Sequence, residues 1–293
     1  MQPLRIDAHQ HFWRYRAGAY PWIGPDMAVL AADHLPEDLL PQLQARRMDA
    51  CIAVQARASR EETRFLLGLA ARHPWIAAVV GWEDLGAAGL DARLEEWGGQ
   101  PKLRGFRHQV QDEPDAGHFL AAPAFARGVA LLQARGYAYD VLVFSHQLEA
   151  AGAFCARHDA HWLVLDHLGK PPVGSAPDAA AGMAHWRRAL EPFRYLPHVA
   201  CKLSGLVTEA DWRTGLGAGD IGRMHGCLDA ALDVFGPQRL MFGSDWPVCR
   251  LAASYADVHG IVRQWADQRL GPEGQRELWG GTAARCYGLP AGA

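Results

Sequence analysis

Eight short runs rich in β-branched and aromatic residues recur along the chain, and amphipathic helical stretches separate them. The runs lie at 4–9 (LRIDAH), 50–56 (ACIAVQA), 76–82 (IAAVVGW), 102–108 (KLRGFRH), 137–144 (YAYDVLVF), 161–167 (HWLVLDH), 199–205 (VACKLSG) and 239–245 (RLMFGSD). Between them, stretches such as SREETRFLLGLAARH, PAFARGVALLQAR and MHGCLDAALDVF carry apolar residues at helical spacing. Strands that alternate with helices imply a parallel sheet, and eight of them fit a closed (β/α)8 TIM barrel, with a doubly wound open sheet as the alternative. No linker interrupts the series, so residues 1–293 read as one barrel domain. Its length and 49% hydrophobic content supply a large core. The Pro/Ala/Gly-rich stretch at 171–183 reads as a mobile loop.

The connections are unequal. Those from helix back to strand are short turns, such as the one at 235–238 (FGPQ), whereas the one after the first strand runs from Phe12 to His34. Long connections at the carboxyl ends of barrel strands are where such folds build their sites. The first run ends in IDAHQH. In an extended strand residues i and i+2 share a face, so His9 and His11 are expected to point together into the mouth, with Asp7 below them. The sixth run brings His167, in phase with Leu165, and the eighth brings Asp245, in phase with Gly243. Three imidazoles and a carboxylate converging from opposite sides suit Zn²⁺ or a similar first-row metal. Other strand ends offer substrate-binding candidates: Glu83 after the third, Arg107 or His108 on the fourth, His146 after the fifth, Lys202 on the seventh and Trp246 beside the eighth. Only one of the adjacent pair Arg107 and His108 can face inward. Most of the eleven tryptophans read as packing between barrel and helices, with Trp13, Trp22 and Trp246 in or beside the mouth loops.

Composition excludes several classes. A formal net charge of -3 and the lack of any Lys/Arg run argue against a nucleic-acid partner. No stretch approaches the ~18 apolar residues of a membrane span, and the start MQPLRIDAHQH lacks the apolar region of a signal peptide. Six scattered cysteines without a CxxC pair fit reduced thiols, and a cytoplasmic protein, monomer or homo-oligomer, is expected. HLGKPP lacks the upstream glycine and the Ser/Thr of a phosphate loop; neither a GxGxxG nor a GxSxG elbow is present.

IDAHQH, DHLGKP, KLSGL and LMFGSDWP, in that order and spacing and together with the GGTAARCYGL tail, resemble the amidohydrolase superfamily, specifically its lactonase branch, which takes in sugar lactonases and the 2-pyrone-4,6-dicarboxylate lactonases. The resemblance implies a distorted (β/α)8 barrel with His9, His11, His167 and Asp245 as catalytic centre and metal ligands. The binuclear members' carboxylated lysine has no counterpart at FRHQ, so it implies at most one divalent metal, zinc being the expected one. The implied reaction is hydrolysis of a sugar-acid lactone, an L-fuconolactone or a similar aldonolactone, with Asp245 taking a proton from the attacking water. Near the motifs only Arg107 and Arg250 qualify as pocket arginines, too few for a dicarboxylate, which favours a neutral sugar lactone over a pyrone dicarboxylate. The alternatives are another reaction on the same barrel, such as pyrone-dicarboxylate hydrolysis, decarboxylation or amide hydrolysis, and a non-catalytic sugar-binding barrel.

Overall fold

A computed structural model of the chain describes residues 4–174 and 179–290. Eight parallel strands follow one another in sequence order around a single sheet: β1 (Ile6–Gln10), β2 (Ala50–Val54), β3 (Ile76–Gly81), β4 (Leu103–His108), β5 (Ala138–Val141), β6 (Leu163–Leu165), β7 (Val199–Leu203) and β8 (Leu240–Phe242). A doubly wound sheet reverses its strand order at a switch point; this one never does. Closure comes where the segment after β8 meets β1. His11 N donates to Trp246 O (2.7 Å) and Asp245 N donates to His9 O (2.8 Å).

The helices are α1 (Pro36–Ala45), α2 (Arg60–Arg72), α3 (Leu90–Trp97), α4 (Ala116–Ala121), α5 (Pro123–Ala134), α6 (Leu148–Cys155), α7 (Ala179–Leu190), α8 (Ala218–Phe235), α9 (Tyr255–Arg269), α10 (Pro272–Arg276) and α11 (Thr282–Cys286). Strand alternation divides the core in two. Small and branched residues such as Ala8, Ile52, Val80, Ala138, Val164 and Ala200 fill the interior above Cys286 and Tyr287. Larger ones, among them Phe106, Tyr139, Leu165 and Phe242, pack outward against the helices. Helix starts carry side-chain caps, Ser59 accepting from the N–H groups of Glu61 and Glu62, and Ser254 from that of Asp257.

Three expectations need correction. The strands end earlier than the apolar runs, β5 at Val141, β6 at Leu165 and β8 at Phe242. The stretch at 171–183 is only partly loop, since Ala179–Met183 belong to α7; residues 175–178 lie outside the described residues. Helix α3 was not foreseen, because its stripe is three residues, Leu90, Leu94 and Trp97, in eight.

Candidate active site

The mouth is built where the sheet stops being regular. In β1 the register with β2 runs Ile6 to Ala50 and Asp7 to Cys51, then Gln10 to Ala53, so β1 carries an extra residue. A bulge of this kind flips the alternation. It turns His9 inward, while Asp7, opposite Cys51 of the outer layer, faces away from the mouth and accepts the N–H groups of His9 (3.2 Å) and Ser244 (2.9 Å). The expected position of Asp7 below the histidines is therefore wrong. Gly243 makes the room, since a Cβ there would lie 2.6 Å from that of His9.

His167 also arrives by a different route than strand phase. Leu165 points outward, Asp166 takes the inward direction, and His167 reaches the mouth because its backbone is left-handed (φ 54°), as is that of Leu168 and Lys170. Asp245 has φ 56°. Non-glycine residues rarely sit there, at a cost of about 1–3 kcal/mol each, and they cluster at functional sites. Gly205 (φ 69°) completes the turn, because a Cβ at that position would approach His167 Nδ1 to 2.6 Å.

The four side chains, joined by Asp166, come together as two triads sharing His9: His9, His11 and Asp245, and His9, His167 and Asp166, each with its donor atoms within 4.8 Å of one another. Asp245 Oδ1 lies 3.3 Å from His11 Nε2 and 3.7 Å from His9 Nε2, and the His9 and His167 rings are 4.4 Å apart. All four are buried. Burial opposes charge on Asp245, yet His167, His11 and His9 outweigh it and hold the carboxyl well below the usual range. Burial likewise lowers His167 to about 4, against the pull of Asp245 and Asp166, and keeps His9 well below the ordinary imidazole value.

Asp166 was missed by the sequence reading, and it belongs to a charged layer under the mouth. Arg107 donates to Asp166 Oδ2 (2.9 Å), to Gln55 O and to His9 Nε2 (3.3 Å). Lys202 donates to Asp140 and lies 3.0 Å from Asp166 Oδ1 and 3.2 Å from His9 Nδ1. Asp166 is held well below the carboxylate range because Lys202, His9 and Arg107 together outweigh its burial. For Asp140 burial wins over Lys202 and raises the carboxyl to about 6. The signal was present: an acid inside the apolar run YAYDVLVF, and another beside His167 in LVLDH.

A cavity of about 440 Å³ opens above this floor, reached by His11, Arg107, His167 and Asp245. Its walls carry Trp22, Phe144 and Trp212, with Gln109, Thr208 and Glu209 among the polar groups. The remaining candidates stand elsewhere. Of the pair on β4, Arg107 turns in, while His108 faces away, accepting from Trp82 Nε1 (3.2 Å) and donating to Glu113 (2.7 Å). Glu83 is buried behind β3, bound by Arg60 (2.9 Å) and Trp97 (3.0 Å). His146 is exposed and stacked on Phe144. Trp246 packs between Phe12 and His34, and Trp13 anchors the first loop by donating to Ala32 O (2.9 Å). Lys202 reaches no cavity surface. These positions follow from alternation: a residue at a strand end faces the helices as often as the mouth.

The donor set fits a cation. A carbonyl can only accept, so the 2.8 Å contact between His11 Nδ1 and Val54 O fixes the proton on Nδ1. That leaves the Nε2 lone pair facing Asp245 Oδ1 at 3.3 Å. Two acceptors so placed require a proton or a metal ion between them.

A family model described as Amidohydrolase matches residues 6–289. The L-fucono-1,5-lactonase of Burkholderia multivorans is 62% identical over 290 residues, spanning 99% of this chain and 98% of that protein. The crystal structure of an amidohydrolase from Burkholderia multivorans with bound zinc is 63% identical and superposes with a TM-score of 0.95, covering 98% of this chain and all of that one. A structure from Pseudomonas putida, 20% identical with a TM-score of 0.73 over 98% of both chains, shares the barrel. Matches that run from the first strand to beyond the last helix leave one assignment: the chain belongs to the amidohydrolase family.

Proposed function

We propose that the chain is a lactonase that opens a sugar-acid lactone, L-fucono-1,5-lactone or a close aldonolactone, by attack of water on the ring carbonyl. The observation that carries this reading is that His11, His167 and Asp245 line the mouth cavity, with the buried His9 shared between the two triads they belong to. It is supported by the 62% identity to the L-fucono-1,5-lactonase. Asp245, ionised throughout the physiological range, accepts a hydrogen from the attacking water and afterwards returns it to the ring oxygen. The neutral His9 and His167 fix the geometry around it, and the Arg107 guanidinium lines the cavity floor, where its positive charge favours the developing oxyanion. One divalent metal ion, zinc by analogy with the relative's structure, would be held by His9, His11, His167 and Asp245, and when bound it lowers the pKa of water or polarises the carbonyl.

The walls favour a neutral, hydroxylated ring. Trp22, Phe144 and Trp212 offer faces for its C–H surfaces, while Asp112 and Glu209 accept from hydroxyls and would repel a dicarboxylate. The two cations at the cavity are engaged, Arg107 by Asp166 and Lys170 beside Glu209 at 4.0 Å. Among the described residues no helix is long and apolar enough to cross a membrane, and all six cysteines are free and buried, which supports a reducing, cytoplasmic setting.

The test is hydrolysis of an aldonolactone panel, read by proton release, with wild type and Asp245→Asn. Wild type turns over L-fucono-1,5-lactone, and the variant loses roughly 10²–10⁴-fold in kcat together with bound metal. Failure of every lactone, or undiminished turnover by the variant, defeats the assignment.

A further inference from the structure

The end of the barrel opposite the mouth holds a larger cavity, about 1020 Å³, between the start of β1, the end of α1 and one side of α9. Four arginines border it: Arg5 ahead of β1, Arg46 and Arg47 after α1, and Arg263 on α9. Among the described residues none of the Arg46, Arg47 and Arg263 guanidinium groups has a carboxylate within ion-pair distance, while Asp49 bears on the charge of Arg5 without contacting it. The two acids on the rim are engaged otherwise: Asp49 accepts the backbone N–H of Arg5 (2.8 Å), and Asp267 accepts the side-chain amide of Gln275 (3.3 Å). The Arg5 guanidinium lies 4.5 Å above the Trp279 ring, and its Nε is buried without a partner.

His259 adds a polar group to the inner wall of the cavity. It lines the same cavity from α9, is 4% exposed, and stacks on Trp279 at 4.9 Å, yet its Nε2 is shielded from water with no hydrogen-bond partner. A buried polar atom left so is costly unless something bonds to it. Burial, then the charges of Arg5, Arg46 and Arg263, hold its ring down to about 4, so the same three guanidinium groups bear on this one imidazole. Unpaired like charges gathered around a cleft raise the local concentration of anions, and the guanidinium fork matches carboxylate and phosphate alike.

We propose that this basal cavity binds a small multivalent oxyanion, a phosphate- or polycarboxylate-bearing molecule, through Arg46, Arg47 and Arg263, with the stacked His259 and Trp279 as its inner wall. Arg5 links the site to the sheet, because its carbonyl accepts the N–H groups of Asp49 (2.8 Å) and Ala50 (3.1 Å) at the foot of β1 and β2. An anion bound there therefore also clamps the base of the strand that carries His9 and His11.

The experiment titrates the full chain with pyrophosphate and, separately, tricarballylate, at constant ionic strength set with sodium chloride, by calorimetry and thermal unfolding. The proposal expects one equivalent of at least one anion to bind saturably and to raise the unfolding midpoint by roughly 3 °C or more. Pyrophosphate binding alone identifies a phosphate-bearing ligand, and tricarballylate binding alone a polycarboxylate. In Arg46→Gln/Arg263→Gln, whose side chains are exposed, affinity falls at least ~10-fold while lactone turnover is unchanged. Failure of both anions to bind above the chloride control, or undiminished binding in the double variant, overturns the site. Because turnover is scored separately, that failure is distinguishable from failure of the lactonase reading.

Discussion

Replacing Lys202 by methionine separates two roles that a lysine near a barrel mouth can have. A substrate-binding lysine lost from the cavity wall raises KM and leaves the fold alone. The structure places Lys202 below the cavity, fully buried, donating to Asp140 and 3.0 Å from Asp166. Methionine nearly preserves the stem but leaves two buried carboxylates facing each other, with Arg107 on Asp166 and the Tyr287 hydroxyl, which donates to Asp140 (2.7 Å), as the remaining groups among the described residues to offset them. Removing one partner from a buried pair costs about 3–5 kcal/mol, because an uncompensated charge remains. For a chain of this size that corresponds to a fall of roughly 6–20 °C in the unfolding midpoint. Scanning calorimetry measures it. Adding Asp140→Asn removes one stranded charge, so the double variant recovers by about 0.5–3 kcal/mol relative to Lys202→Met. KM measured on surviving folded enzyme stays within about twofold. A Lys202→Met protein with an unchanged midpoint and a raised KM would refute the buried-pair reasoning and restore Lys202 to the substrate.

Glu83→Gln follows the same logic behind β3: it loosens Arg60 and Trp97 and lowers stability by roughly 1–3 kcal/mol in denaturant titration, with KM unchanged. Gly205→Ala meets a positive φ and His167 Nδ1 at once, so kcat drops along with about 1–3 kcal/mol of stability; normal turnover would show that the turn is not needed to seat His167. His259 faces Arg5, Arg46, Arg263 and Asp267 and is held at about 4 against an unfolded value near 6.5. Its folded pKa is depressed, so stability present above pH 6.5 is lost as pH falls toward 4, by up to about 3 kcal/mol. His259→Phe flattens that window in chloride buffer, and an unchanged pH profile counts against it.

The barrel could be read because alternating apolar runs and helical stripes are local signals, and the ends of its strands could not. β6 and β8 leave the pleat after Leu165 and Phe242, while the apolar runs continue, so counting in twos assigned the wrong directions there. His167 and Asp245 were found as unusual polar residues in apolar surroundings, although the left-handed backbone that delivers them was not foreseen. Asp140 and Asp166 stayed hidden because their partners lie far along the chain, Lys202 being 62 residues from Asp140. The bulge in β1 leaves no composition signal at all; it emerges from the requirement that His9 and His11 share the mouth while Gln10 pairs with Ala53. Glu83 and His108 were placed near the mouth by position alone, which says nothing about the face.

The charged layer explains why such irregular strand ends hold one shape. His9 is gripped at both nitrogens: Nδ1 lies 3.2 Å from both Lys202 Nζ and Asp166 Oδ1, and Nε2 lies 3.3 Å from Arg107, which fixes the plane of the ring. Two carboxylates and two cations make up the layer, so it adds little net charge beneath Asp245, and the field at the cavity floor is set by Asp245 itself. Buried ion pairs contribute little net stability compared with apolar packing of the same volume, but they have narrow geometry. A cluster of Leu and Met in their place would pack as well and let the His9 ring turn. The layer's contribution is therefore orientation, and it should show in kcat and bound metal more than in any gain of stability over an apolar floor.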